Sequence, residues 1–238
     1  MQHSATQSPS AFVSVSPWLQ TNKSDLISLG QTVSSTTERM LADHEHLYLE
    51  GDSQSHVYLV LSGVIGTHKV LADGRRQIST FAYPGDILGL DCSGVHVNNS
   101  ESLGGSKVRC IPIYAIDKLI MSEPGFGQTL LRITATELAD TRDQMLSLGR
   151  KSAAEKLATF LVGICRRNSH AGQSEDIIHI PMKRCDIADF LGLTVETVSR
   201  NFTKLKQLGV ISLLSSSSIQ INNREILDLM ADGDESVH

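Results

Sequence analysis

Glu196, Ser199, Arg200 and Thr203 stand at i, i+3, i+4 and i+7, which on a helix makes one polar stripe. Their chemistry suits the edges of bases. A carboxylate can accept from cytosine N4, a guanidinium can fork onto guanine O6 and N7, and a hydroxyl can meet thymine or a phosphate. Glu196, four residues before Arg200, is placed to hold that fork. Val198, Phe202 and Leu205 fall on the other side and supply a face to bury. The stripe needs a rigid carrier, and its flanks provide one. Asp186 to Phe190 reads as a helix reaching the tight turn Leu191-Gly192-Leu193, and Thr194 can cap a second helix through Leu208 by accepting a free first-turn amide. Two helices about a glycine turn make a helix-turn-helix, whose second helix enters the major groove by its N-terminal end. Thr194, Thr197 and Lys204 on that helix, with Lys183 and Arg184 upstream, complete the candidate contacts to double-stranded DNA. An amphipathic helix with a surface ion pair would explain Glu196 and Arg200, but not the cap, the turn and the basic flanks together.

Other side chains offer different chemistry. Cys185 opens the first helix of the pair beside Lys183 and Arg184, where the helix N-terminus and nearby cations favour thiolate, so it is a redox candidate. Cys92, Cys110, Cys165 and Cys185 are 18, 55 and 20 positions apart, too far for the short clip of a zinc or iron-sulfur site. A reducing compartment makes a disulfide framework unexpected. His44-x-His46-x-x-x-Glu50 has the spacing of a cupin's first metal motif, if all three alternate along one strand. The flanking glycines of such a motif are missing, and Pro84-Gly85 through His96 does not complete its second half. His44, His56 and His68 are candidate haem ligands. No catalytic constellation outweighs the helix-turn-helix, and neither metal nor cofactor is expected.

The rest of the chain must position the stripe. With 238 residues, 21 Lys+Arg against 26 Asp+Glu and 40% hydrophobic residues, it is neither disordered nor collagenous nor a membrane protein. No apolar run reaches the roughly 18 residues of a span, and the N-terminus carries no signal peptide, which makes the cytoplasm the default. Charge is uneven. Arg150 to Val210 holds ten basic and six acidic residues in an otherwise acidic chain, which points to a polyanion partner for that segment. Met1 to Asn22 has no Asp, Glu, Lys or Arg and reads as a mobile tail. From about Leu41 to Ile113, short apolar runs (46–49, 56–61, 64–70, 77–81 and 107–111) alternate with glycine turns, as in an antiparallel barrel or jelly roll. Leu131, Thr134, Leu138, Thr141, Met145 and Leu148 then recur at threes and fours, the seam of a long helix facing a partner helix, with Pro124 in its first turn and Gly149 at its close. A helix from Ser152 to Arg167 and a short strand at 177–180 follow, and strands at 210–214 and 219–221 around Ser215 to Ser218 make a wing. The chain thus divides into a tail (1–22), a β-roll (23–122), a dimerisation helix (123–149), a winged helix-turn-helix (150–224) and a C-terminal tail (225–238), an α+β architecture.

The run from Asp186 to Arg200, DIADFLGLTVETVSR, resembles the reading motif of the CRP/FNR superfamily of transcription regulators, and its Glu-x-x-Ser-Arg pattern is that of FNR-type readers. Gly51-Asp52, the run Tyr58 to Gly63, the run Asp73 to Gln77 and the run Pro84 to Gly89 resemble the family's N-terminal β-roll, and the similarity spans about Leu41 to Asn223. The resemblance is nearest to FixK-like members. It implies a homodimer through the long helix, an inverted repeat with TTGAT-type half-sites read by Glu196, Ser199 and Arg200, RNA polymerase as a partner, and activation of microaerobic or nitrogen-fixation genes. Related rolls hold cyclic AMP by an arginine and a hydroxyl. Here Gln77 to Ser106 has no Lys or Arg, while Asp86, Asp91 and Glu101 add negative charge, so cyclic-nucleotide control is not expected. The bunched N-terminal cysteines of an iron-sulfur oxygen sensor are also missing. Control of such a protein would then lie in how much of it is made.

Overall fold

The computed structural model describes residues 36–91, 93–170, 174 and 176–233; the tail expected at 1–22, the start of the 23–122 block and Cys92 lie outside them. Six strands, β1 (Thr37–Leu41), β2 (His46–Tyr48), β3 (His56–Val70), β4 (Arg76–Ala82), β5 (Ile87–Leu88) and β6 (Asn99–Pro112), form one antiparallel sheet in the order β1-β6-β3-β4, with β2 on β6 and β5 on β3. Alternation along the paired strands puts Tyr58, Val60, Ile65 and Val108 into the roll with Leu41, Leu47, Tyr48 and Leu88. Val57, Leu59 and Ile111 point the other way, against Ile116 and Leu119 of α1 (Ile113–Ser122) and Phe126 of α2 (Pro124–Arg150).

The two runs expected at 56–61 and 64–70 are one strand, carried through Ser62-Gly63 by register shifts. Gly63 has φ of 79°, and a Cβ there would collide with the Gly105 carbonyl and Ser106 of the neighbouring strand. β6 also begins eight residues earlier than its apolar run, because polar Asn99 to Ser106 finds its ladder partners on β3 and β1.

The helix α2 runs past Gly149 to Arg150 and ends at Lys151. The C-terminal unit consists of α3 (Ala153–His170), β7 (Ile177–His179), α4 (Arg184–Leu191), α5 (Val195–Gln207), β8 (Ile211–Leu213), β9 (Ser218–Ile221) and α6 (Arg224–Asp232). Its wing has three strands, β7-β9-β8, because the short strand expected on its own pairs with β9. The C-terminal tail expected at 225–238 is corrected over its first half. Asn223 caps α6 by accepting from Ile226 N, and Leu227, Met230 and Ala231 are buried. One apolar core runs from Leu157 and Leu161 of α3 through α4, α5 and α6 to Val64, Ile78, Phe81 and Leu103 of the roll, so the C-terminal unit is docked on the roll.

Candidate nucleic-acid interface

α4 begins where the backbone N–H of Lys183 donates to Asp186 Oδ2 at 2.8 Å, and it stops at Gly192, whose φ of 62° turns the chain sharply towards α5. The N-terminus of α5 is closed by Thr194, whose Oγ1 accepts from Thr197 N at 3.2 Å. Val198, Phe202 and Leu205 are buried as the spacing predicts. Glu196, Ser199, Arg200, Thr203 and Lys204 are exposed on the opposite face, in the first three turns of the helix.

The structure sorts the candidate contacts by what their polar atoms already do. The Thr194 hydroxyl is spent on the cap and shares a 3.0 Å hydrogen bond with Thr197 Oγ1, and Thr203 Oγ1 donates back to the Ser199 carbonyl at 3.0 Å. Glu196, Ser199, Arg200 and Lys204 keep their outward groups. The Glu196 carboxyl is held below its ordinary range, first by its own backbone N–H, then by Thr194 and the Arg200 charge, and it therefore presents a carboxylate. Glu196 does not lock Arg200, since no hydrogen bond or ion pair joins the two among the described residues, and the fork is free to turn. Arg184 is half-buried, with its guanidinium carbon 3.4 Å from the centroid of the Phe202 ring, so it braces α4 on α5. Lys183 turns to the roll, where Nζ lies 3.3 Å from Asp43 Oδ2 and 2.6 Å from His44 Nε2. Cys185 is exposed, and its sulfur lies 3.9 Å from the Asp186 carboxylate, while the neighbouring Lys183 and Arg184 cations are engaged elsewhere.

Sequence reasoning missed the group that seats this motif. Arg76, at the start of β4, donates to Glu101 of the roll and to Asp186 and Asp189 of α4, the last at 2.8 Å. Burial alone would lower its pKa, but the hydrogen bonds to Asp189 and Asp186 and the nearby Glu101 raise it well above the ordinary arginine value. Gln77 Nε2 donates to the Asp189 carbonyl at 2.6 Å, and Gln144 of α2 donates to the Phe190 carbonyl at 3.1 Å. Two C-terminal carbonyls of α4, those of Asp189 and Phe190, are thus satisfied by the roll and the long helix.

Residues 155–230 match the family model of the Crp-like helix-turn-helix domain, and residues 38–123 that of the cyclic nucleotide-binding domain. The nitrogen fixation regulation protein FixK of Bradyrhizobium diazoefficiens is 41% identical over 170 residues, 71% of this chain and 72% of that protein. The transcriptional activatory protein AadR of Rhodopseudomonas palustris is 42% identical over 173 residues, 71% of each. The chain belongs to the CRP/FNR family. Within it the chain is FixK-like, and the solved structure of FixK2 from Bradyrhizobium japonicum matches with a TM-score of 0.77 at 35% identity, covering 82% of this chain and 96% of that one. A CooA mutant from Carboxydothermus hydrogenoformans shares the fold, with a TM-score of 0.68 at 16% identity over 93% and 97% of the two chains.

In this CRP/FNR-family chain the cupin spacing is not on one strand. His44 and Glu50 sit in the turns on either side of the three-residue β2, His44 has φ of 62°, and Glu50 pairs with Lys69 at 3.0 Å. Only His46 lies on β2, and among the described residues no three His, Cys, Asp or Glu side chains gather to hold a metal. The haem candidates do not converge either, since His56 and His68 lie near opposite ends of β3. The three carboxylates expected to repel a phosphate are engaged: Asp86 with Arg167 at 2.9 Å, Asp91 with His96 at 2.9 Å and Glu101 with Arg76. Along α2, Leu131, Leu138 and Met145 are 72%, 51% and 66% exposed, with Thr134 and Thr141 exposed between them. Leu148 departs from that stripe. It is half-buried, 3.4 Å from the place a Cβ on Gly192 would occupy, so it touches the turn of the helix-turn-helix.

Proposed function

We propose that the protein is a homodimeric activator that reads an inverted repeat with TTGAT-type half-sites, in which Glu196, Ser199 and Arg200 meet base edges and Lys204 a phosphate. The observation that carries this reading is the exposed face of α5 behind a Thr194 cap, on which the Ser199 hydroxyl, the Arg200 guanidinium and the Lys204 ammonium are uncommitted and Glu196 presents a carboxylate. The names of the two relatives above speak of nitrogen fixation regulation and of transcriptional activation, which supports target genes in low-oxygen or nitrogen metabolism and RNA polymerase as partner. No helix among the described residues is long and apolar enough to cross a membrane, in keeping with work at cytoplasmic DNA. The protein needs no catalytic residue for this role. Selection of binding sites from random duplexes tests it. The expected result is a two-fold motif with half-sites about one helical turn apart; enrichment of no motif, or of an asymmetric one, overturns it.

An exposed Cys185 in the first turn of α4 favours a second, compatible reading: its sulfur, as thiolate, attacks hydrogen peroxide, the O–O bond breaks, hydroxide leaves to solvent and a sulfenic acid remains beside the DNA face. Peroxide should then weaken operator binding in the wild type and not in Cys185→Ser; equal weakening in both refutes it.

A further inference from the structure

A cavity of about 250 Å³ lies where three parts of the chain meet: Phe81 and Leu88 of the roll, Thr141 and Gln144 of α2, and Phe160 and Gly163 of α3, closed by Phe190 and Leu191 of α4. Its wall is mostly apolar, with three phenylalanine rings packed on one another, Phe81 and Phe190 having centroids 4.9 Å apart. At one end, Arg167 is tied to Asp86 at 2.9 Å and steadied by Asp140, and burial together with Asp86, Asp140 and Asp91 pushes the Glu137 carboxyl up towards its neutral form. The other end, near the junction of α2 and α3, holds Lys156. This side chain is nine-tenths buried in the cavity wall, and its ammonium has no hydrogen bond or ion pair with any described residue. The stem is thus buried while the ammonium tip keeps an opening out of the packed wall, uncommitted to any described side chain.

The backbone leaves this space open as well. Gly163 lies in the middle of α3, where glycine is a poor helix former. A Cβ there would meet nothing within 4 Å, so steric crowding does not explain the glycine.

We propose that this cavity is a binding site for a small carboxylic acid with a flat apolar body, its carboxylate paired with Lys156 and its ring among Phe81, Phe160 and Phe190. The volume falls below the roughly 300–1,000 Å³ of drug-sized ligands, which suits a single ring with a short acidic arm. The ring stacks on aromatic faces, and the charge supplies the partner that Lys156 lacks. The site does not depend on the reading of α5, because an occupant need touch no residue of the DNA face.

The test is calorimetric titration of the full chain with 3-phenylpropionate, and with 3-phenylpropanol as its neutral counterpart. The acid should bind once per chain, and roughly tenfold or more tightly than the alcohol. Lys156→Met should bring the acid down to the level of the alcohol, and Gly163→Leu, whose Cβ meets nothing within 4 Å and whose branch projects into the cavity, should abolish binding of both while melting no lower than the wild type. Absence of saturable binding at millimolar acid, equal affinity for acid and alcohol, or undiminished binding by Gly163→Leu overturns the proposal. Operator binding by Gly163→Leu without acid reports separately on the DNA-reading role.

Discussion

A guanidinium that turns freely on an exposed helix face and one that is stacked and bonded do different work. Arg200 is of the first kind, and its replacement by Ala should cost about 1 to 3 kcal/mol of operator binding and relax the base preference at one position of each half-site. Lys204→Ala should weaken cognate and scrambled duplexes alike and lower the salt dependence by about one counterion. Titrations of both variants over a salt series check this, and equal loss of specificity in the two would refute the division. The pattern of Glu196, Ser199 and Arg200 was legible because all three belong to one helix with a fixed period. The commitments of Arg184, Lys183 and Arg76 were not, since Asp186 and Asp189 lie 110 and 113 positions from Arg76, and no local spacing encodes such a pairing. A second residue-level consequence concerns His68, which is 5% exposed and 3.9 Å from Glu101. Burial first, then Arg76 and His46, hold its pKa below the ordinary 6.5, although Glu101 pulls the other way. The unfolded chain therefore takes up the proton more readily, so this share of stability is present above about pH 6.5 and is lost as pH falls towards the folded value. Melting curves from about pH 7.5 to about pH 5.5 should decline in the wild type and decline less in His68→Gln; parallel slopes would count against it.

At the level of elements, α4 is eight residues long and cannot hold itself. Its acidic side is fixed by Arg76 and its C-terminal carbonyls by Gln77 and Gln144. Removing the guanidinium leaves Asp186, 1% exposed, and buried Glu101 without their counter-charge, which is the expensive way to break a buried pair. Arg76→Ala should therefore destabilise the protein by about 3 kcal/mol, a fall in melting temperature of roughly 6 to 12 °C. Arg76→Lys should recover only part of it, because a single ammonium cannot span three carboxylates with the geometry of the fork. Calorimetric melting of the two variants decides, and a full rescue by lysine would show that charge alone matters. Elements with a clear period were read correctly: the long helix, the helix-turn-helix and most strands. Those that failed drew their stability from partners. The polar half of β6 is held by ladder hydrogen bonds to β3, and α6 by burial of Leu227 and Met230 in a core contributed by distant segments.

The whole molecule poses one geometric requirement that a single chain does not meet. Reading two half-sites related by a two-fold axis needs two copies of α5 a helical turn of DNA apart, and α2 carries a long exposed stripe with Leu131, Leu138 and Met145. Thr134 and Thr141 interrupt the apolar stripe, but their hydroxyls donate to the Leu130 and Glu137 carbonyls at 3.0 and 2.7 Å, so their polar groups are satisfied within the helix and need no partner across the interface. Burying an exposed leucine side chain gains about 1.5 to 3 kcal/mol, and a two-fold axis counts each seam residue twice. A carboxylate at Leu138 forfeits that gain on both helices and places two like charges against each other in a dry seam. Leu138→Asp should therefore sediment as a monomer at concentrations where the wild type and Leu138→Met sediment as dimers. Because α4 and α5 are seated by Arg76, Gln77 and Gln144 of the same chain, the monomer should keep its fold and its weak contact with one half-site, and should lose at least tenfold in affinity for the inverted repeat. A Leu138→Asp variant that remains dimeric would place the two-fold axis on another face and require a different spacing between the half-sites.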